Sequence, residues 1–294
     1  MDAPRADMRK LNLTRWVIYL LVGAVVVLFC ALPLEQEFEA SKDVKAVFNR
    51  VDALEPGSHV LLAFDYDPAS EAELKPMSRV LLLHCFQKKL IPIVMTHWSN
   101  GLTMDKGIID NAAAEAAKEF GRPFQSGRDY VFLGFRPAGS NLILNMGENL
   151  KSAFDKDFYG QPTRAMPALQ GVNSLKDIDL AVDFAAGATP QMWIAYGSDR
   201  FGFPLGVGTT AVQAPDMIPF VQSNQLVGYL GGLRGAADYE ALLAQSYPKA
   251  KAYATRGMVA QSATHVLLIL LIVGANIRLI VGRLNRKQKG RSHG

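Results

Sequence analysis

Asp65 and Asp67 stand one residue apart in the stretch HVLLAFDYDPASEAELKP, and they are the first residues whose type and spacing suit chemistry. Residues two apart in an extended segment point the same way off a strand end. Paired carboxylates there could hold Mg²⁺, or one could serve as the nucleophile of a phosphotransfer reaction. The residues that follow, PAS, lack the Thr or Ser at the spacing such enzymes use, which favours a plainer reading: one aspartate caps the turn before Pro68 and the other is solvated. His97 beside Trp98 would suit general acid–base work next to a stacking platform, or an ordinary packed pair. Arg136, before PAG, could hold an anionic ligand. Asp183 lies in a further apolar run, and Thr209, Thr210 and Gln213 follow a glycine-rich one.

Several chemistries lack their residues. His59 and His84 have no metal-ligand spacing to His97, which argues against zinc. GFPLGVGTT has no P-loop Lys-Ser/Thr ending, the G-x-G-x-x-G fingerprint does not follow the first strand, and no G-x-S-x-G elbow occurs. GFPLGVGTT therefore reads as backbone accommodation in a tightly packed strand, and GGLRGAA as a helix terminus with a tight turn.

The elements that must position these residues alternate between strand and helix. HVLLAF is a continuous apolar run of the kind buried on both faces, and Ser70 with Glu73 predicts a capping box for a helix running to about Lys89 despite Pro76. LIPIVMTHW predicts a second strand, and MDKGIIDNAAAEAAKEFG an Ala-rich helix closed by Gly121. DYVFLGF is a third strand, SNLILNMGENLKSAF a helix and IDLAVDFAAG a fourth strand. Thr189 caps another helix with Pro190 at its first position, GFPLGVGTTAVQAP is a fifth strand, and the residues after it form one or two helices. Ahead of all these, Val44, Val47, Phe48, Val51 and Leu54 recur at helical spacing until Pro56 and Gly57, so an amphipathic helix continues from the preceding apolar segment. The expected fold class is α/β: a three-layer, doubly wound parallel sheet of Rossmann-like or flavodoxin-like type. In such sheets ligands bind beyond the carboxyl ends of the strands, where every candidate above falls.

Two apolar segments flank that domain. Trp16 to Leu34 carries no charge over 19 residues, long enough to cross ~30 Å of hydrocarbon. Met258 to Gly282 has polar first turns and an Arg278 able to snorkel. Both are expected to span a membrane. A cleaved signal peptide is the alternative for the first, disfavoured by its length and by the lack of a small-x-small site. Residues 1–34 hold four basic and two acidic residues, 35–258 hold 21 and 25, and 259–294 hold six and none, which together make the net +4. The positive-inside rule then places the basic tails 1–15 and 283–294 in the cytoplasm, the spans at 16–34 and 258–282, and the domain 35–257 outside, in the periplasmic or extracytoplasmic space. Anionic headgroups explain the basic tail better than nucleic acid does. Cys30 sits in the first span and Cys85 is alone in the domain, so no intradomain disulfide is available. Within the spans, Tyr19 reads as an aromatic anchor, His265 as interfacial, and Asn276 as a candidate hydrogen bond to a neighbouring helix.

The combination of LLAFDYDP, LGFRPAG, DFAAGATPQMWIAYG and YLGGLRGAADYE resembles a family of bacterial and archaeal membrane-anchored α/β proteins without an assigned activity. The resemblance implies the architecture and brings no catalytic residue. Three functions are compatible with these observations. The first is a subunit or scaffold of a membrane complex, favoured because the short tails hold no output segment and no complete catalytic set is visible. The second is a small-solute-binding or sensory domain using the strand-end crevice. The third is a metal-assisted enzyme acting on a phosphorylated or glycosidic envelope substrate through Asp65, Asp67 and Asp183. The expected partners are lipid, other membrane-protein chains and a small molecule.

Overall fold

The unbroken apolar runs become parallel strands because their residues are buried on both faces of one sheet. The computed structural model describes residues 3–32, 39–250 and 253–291. Its strands are β1 His59–Asp65, β2 Ile91–Thr96, β3 Val131–Phe135, β4 Leu180–Ala185, β5 Leu205–Thr209 and β6 Gly228–Gly231. They form a six-stranded, all-parallel sheet in the order β3-β2-β1-β4-β5-β6. The helices are α1 Ala3–Ala31, α2 Lys42–Asp52, α3 Glu71–Gln87, α4 Leu102–Phe120, α5 Ser140–Ala153, α6 Thr189–Met192, α7 Asp199–Phe201, α8 Ile218–Gln222, α9 Gly232–Leu243 and α10 Ala254–Arg291. A π-helical turn, Trp193–Ser198, joins α6 to α7.

The strand order reverses direction between β1 and β4, which makes their carboxyl ends the topological switch point of a Rossmann-like sheet. Side-chain alternation gives the two faces different roles. Leu61, Ala63, Ile93, Met95, Ala181 and Val207 face a core completed by Ile143, Met146 and Leu150 of α5 and by Trp193. Full burial of a large apolar side chain stabilises the fold by roughly 1.5–3 kcal/mol. The opposite face meets α2 and α3: a Cβ at Gly206 would lie 3.5 Å from Val47, and one at Gly208 would lie 3.0 Å from the sulfur of Met77. The glycines of GFPLGVGTT therefore admit close packing of helices on the strand, as their pattern implied.

Three local expectations are corrected. Ser70 makes no capping hydrogen bond to α3, and Glu73, the other half of the expected box, instead accepts the N–H of Ala211 on its Oε2 at 2.8 Å. Thr189 is the first residue of α6 rather than its cap. The run LVGYLGG supplies a sixth strand, β6, where only helix was expected; a Cβ at Gly228 would collide with the backbone oxygen of Asp43, so glycine there lets β6 lie against α2. The amphipathic helix α2 has its own start, with Ser41 Oγ accepting from Val44 N and residues 39–41 non-helical. It buries Val44, Val47 and Val51 as its spacing required.

The chain divides into two units, Glu37–Thr255, which holds the sheet, and Met1–Gln36 with Arg256–Gly294. Among the described residues one helical stretch, Ala254–Gly282, is long and apolar enough to cross a membrane, where two were expected. The apolar part of α1 is the shorter Arg15–Ala31, and the last residues of the expected first span, 33 and 34, lie outside the described residues. Asn276 donates its Nδ2 proton to the Ile272 carbonyl of its own helix.

Candidate functional site

At the switch point the strand ends gather a buried polar cluster. Asp65 is the last residue of β1 and fully buried. Its Oδ1 accepts the backbone N–H of His97 at 2.7 Å and its Oδ2 accepts Nδ1–H of the same residue at 2.9 Å, with the Trp193 indole N–H at 3.4 Å. Three donors converging on one carboxyl is the use made of an ionised carboxylate. They also fix the His97 tautomer: Nδ1 carries the proton, and Nε2 is left as an acceptor, buried and without a protein partner among the described residues.

Two further carboxyls lie within reach of the charge on Asp65. Asp183, on β4, is fully buried, and neither of its oxygens has a well-formed hydrogen bond. Burial, and after it the charge of Asp65, holds its carboxyl well above the ordinary carboxylate range; the nearby Thr189 hydroxyl works against that shift and contact with the Asp65 carboxyl adds to it. Asp105, on α4, is also fully buried with both oxygens unpartnered, and burial followed by the Asp65 charge pushes it up to about 8. Burial and like charge thus favour the protonated form of both side chains. α4 approaches because Gly101, in the turn ahead of it, has no Cβ: one placed there would lie 2.6 Å from the Tyr66 carbonyl oxygen and 3.5 Å from Asp105 Oδ2.

The sequence candidates separate into two groups. Asp65, His97 and Asp183 are brought together, as expected of strand ends. Asp67 is partly exposed, and its Oδ1 accepts from Ala69 N at 3.0 Å, so it caps the turn before α3 while Asp65 does the buried work. Among the described residues no group of three or more His, Cys, Asp or Glu side chains is arranged to hold a metal ion. The Trp98 ring lies beside Gly187, 3.5 Å from where a Cβ would stand, and the Trp98 N–H is held by Thr96 Oγ1. Gln213 ties the loops together: its Oε1 accepts from Thr209 and Thr210, each at 3.4 Å, and its amide donates to the Gly187 carbonyl at 3.3 Å. Arg136 is spent on a solvent-exposed ion pair with Asp155 at 2.6 Å.

Asp105, Thr189 and Trp193 were not anticipated. Asp105 reads from sequence as an ordinary first-turn acid of a helix, Thr189 as a cap and Trp193 as a core aromatic. The one signal of something special is the π-helical turn that presents Trp193, a rare irregularity that is frequent at functional sites.

The carboxyl edge beside β1 is acidic where phosphate-binding sheets of this order are not. In a dinucleotide-binding sheet of this strand order the pyrophosphate sits at the N-terminus of the helix after β1. Here that helix, α3, begins with Glu71 and Glu73, just beyond Asp65 and Asp67. Two surface grooves, of about 460 and 610 Å³, lie at the opposite, amino ends of the strands, beside Gly127 ahead of β3 and beside Leu205 and Val227 at β5 and β6. The buried, unpartnered polar atoms belong to neither.

No protein-family model matches the chain, and no curated protein matches it. Among solved structures a trehalose-6-phosphate synthase, OtsA, superposes with a TM-score of 0.31 at 9% identity over 83% of this chain and 45% of that one. The chain thus spans less than half the length of that enzyme, and the likeness is too slight to bear on function.

Proposed function

We propose that the Glu37–Thr255 unit is a small-molecule-binding domain of a membrane-anchored chain, with its ligand lying at the carboxyl edge between β1 and β4. One observation carries this reading: the carboxyls of Asp105 and Asp183 are buried near Asp65 at the switch point, and none of their four oxygens makes a well-formed hydrogen bond. An unsatisfied buried polar group costs ~1–3 kcal/mol, so a fold that keeps several together at its ligand edge is supported by something that completes them. Anchoring through α10 is supported by the length and apolar character of Ala254–Gly282. The basic residues after the apolar stretch of α10 support a cytoplasmic C-terminal tail and a domain outside the cytoplasm.

A catalytic version of the same site is favoured by the Asp65–His97 pair, in which a carboxylate orients an imidazole whose Nε2 is left as an acceptor. The complex-subunit reading ranks below both, since it leaves the cluster unexplained. Native mass spectrometry of the full-length protein, extracted gently in detergent, separates these readings. A small-molecule mass that disappears in Asp183→Ala supports the binding domain. Co-purifying chains at fixed stoichiometry around a bare domain would overturn it in favour of the complex subunit.

A further inference from the structure

The atoms near Asp65 without a well-formed hydrogen bond are His97 Nε2, both oxygens of Asp105 and both of Asp183, with the Thr189 hydroxyl beside them; each carboxyl offers one O–H donor while protonated and acceptors alone once ionised. Among the described residues no basic side chain acts on Asp105 or Asp183; the charge that does is that of Asp65, itself acidic. Asp105 comes from α4, Asp183 from β4 and His97 from the end of β2, so the acceptors arrive from three separate elements. A phosphate or carboxylate would meet the charge of Asp65 with no basic side chain to offset it among the groups acting on the two acids. A primary ammonium offers three donors in a tetrahedral array together with the missing positive charge.

We infer that the ligand of this site is a small organic cation bearing a primary ammonium group, bound among Asp65, Asp105 and Asp183 with His97 Nε2 as a further acceptor. The inference rests on the binding-domain reading and gives it a chemistry. It also carries a proton signature. The charge that acts on both Asp105 and Asp183 is that of Asp65, which also holds His97, and Asp105 in turn acts on Tyr66. An ammonium placed among them favours ionised carboxyls, so binding at neutral pH expels a proton from Asp105 or Asp183 into solution and leaves an ammonium–carboxylate pair. With one proton released, affinity rises about tenfold per pH unit below the carboxyl's own pKa.

The test is calorimetric titration of the full-length chain in non-ionic detergent with four probes: ethanolamine, ethylene glycol, phosphoethanolamine and Mg²⁺. Each is run in buffers of different ionisation enthalpy at pH 6 and pH 7. Ethanolamine is expected to bind with proton release and about tenfold more tightly at pH 7, while ethylene glycol and Mg²⁺ give no heat. Phosphoethanolamine distinguishes a free amine, for which it fails, from a lipid headgroup, for which it binds as well as ethanolamine does. Asp183→Asn, which replaces an already neutral carboxyl, is expected to keep the fold and lose ethanolamine binding at least tenfold. Binding of ethylene glycol equal to that of ethanolamine, binding of Mg²⁺ alone, or ethanolamine binding without proton release overturns the ammonium assignment. If one of those probes binds and Asp183→Asn abolishes it, the site stands and only the ligand class falls. If no probe binds and the extracted protein has a bare native mass, both fall.

Discussion

Asp105→Asn isolates the electrostatic character of the cluster. In the folded chain the Asp105 carboxyl is pushed up to about 8 from an ordinary value of 3.8, first by burial and then by the charge of Asp65. The folded state therefore holds this proton more tightly than the unfolded state does. Its contribution to stability is fully present below pH 3.8 and is lost as pH rises through about 8. At lower pH other groups oppose that trend: His84, lowered to about 4 by burial, and His59, also lowered by burial, favour folding as pH climbs towards 6.5. The informative window is thus pH 7 to 8.5, where both histidines are neutral in the folded state and nearly so in the unfolded one. Across it a carboxyl with a folded-state pKa near 8 costs the wild-type chain ~1.3 kcal/mol, since each pH unit of full linkage is about 1.4 kcal/mol. For a domain of this size that is a fall of roughly 4 °C in the unfolding midpoint. The amide introduced by Asp105→Asn does not titrate, so the variant's midpoint should fall less over the same window by that amount, whatever constant offset the amide brings. The check is a pair of pH profiles for the full-length wild-type and Asp105→Asn proteins, followed by scanning fluorimetry in one detergent. Parallel profiles would refute the assignment of Asp105 as a buried, protonated acid.

Other outcomes are expected from the same geometry. Asp65→Asn removes the charge that holds His97 and should cost ~2–3 kcal/mol by denaturant unfolding, whereas Asp67→Asn, which keeps its turn-capping oxygen to Ala69, should change stability by less than ~0.5 kcal/mol; equal effects would mean the two aspartates share one role. Gly228→Ala drives a methyl into the Asp43 carbonyl and should destabilise by ~1–3 kcal/mol, with loss of hydrogen-exchange protection along β6 and α2 as the readout. Arg79, buried and paired with the carboxylate of Glu115, should cost ~3 kcal/mol when replaced by Met, because the partner charge is left behind; a change below ~1 kcal/mol would show that solvent already screens the pair. Ser41→Ala, which removes the α2 cap to Val44 N, should cost ~1 kcal/mol in the same assay.

The fold was more legible than the site for a physical reason. Strands buried on both faces must be apolar throughout, and that requirement is written locally in HVLLAF, LIPIVMT and LAVDFA. β6 escaped because it is only four residues long and two of them, in GYLG, are glycines, which strands disfavour; it exists because glycine lets its backbone approach α2. The capping box expected at Ser70 does not form, and Glu73 has its partner 138 residues away in Ala211. No local pattern encodes such a partner.

Sequence by itself determined the layered α/β class, the parallel strands and the edge of the sheet at which Asp65, His97 and Asp183 fall, because these follow from side-chain period and strand ends. Tertiary structure alone decided which carboxyls share an environment. Asp65 and Asp67 are neighbours in the chain but serve different ends, one orienting His97 and the other capping a turn. Asp65, Asp105 and Asp183 are far apart in the chain, and strand order together with the missing Cβ of Gly101 brings the latter two within the field of Asp65. Ionisation depends on burial and on the nearest charge, and both are properties of the packed core.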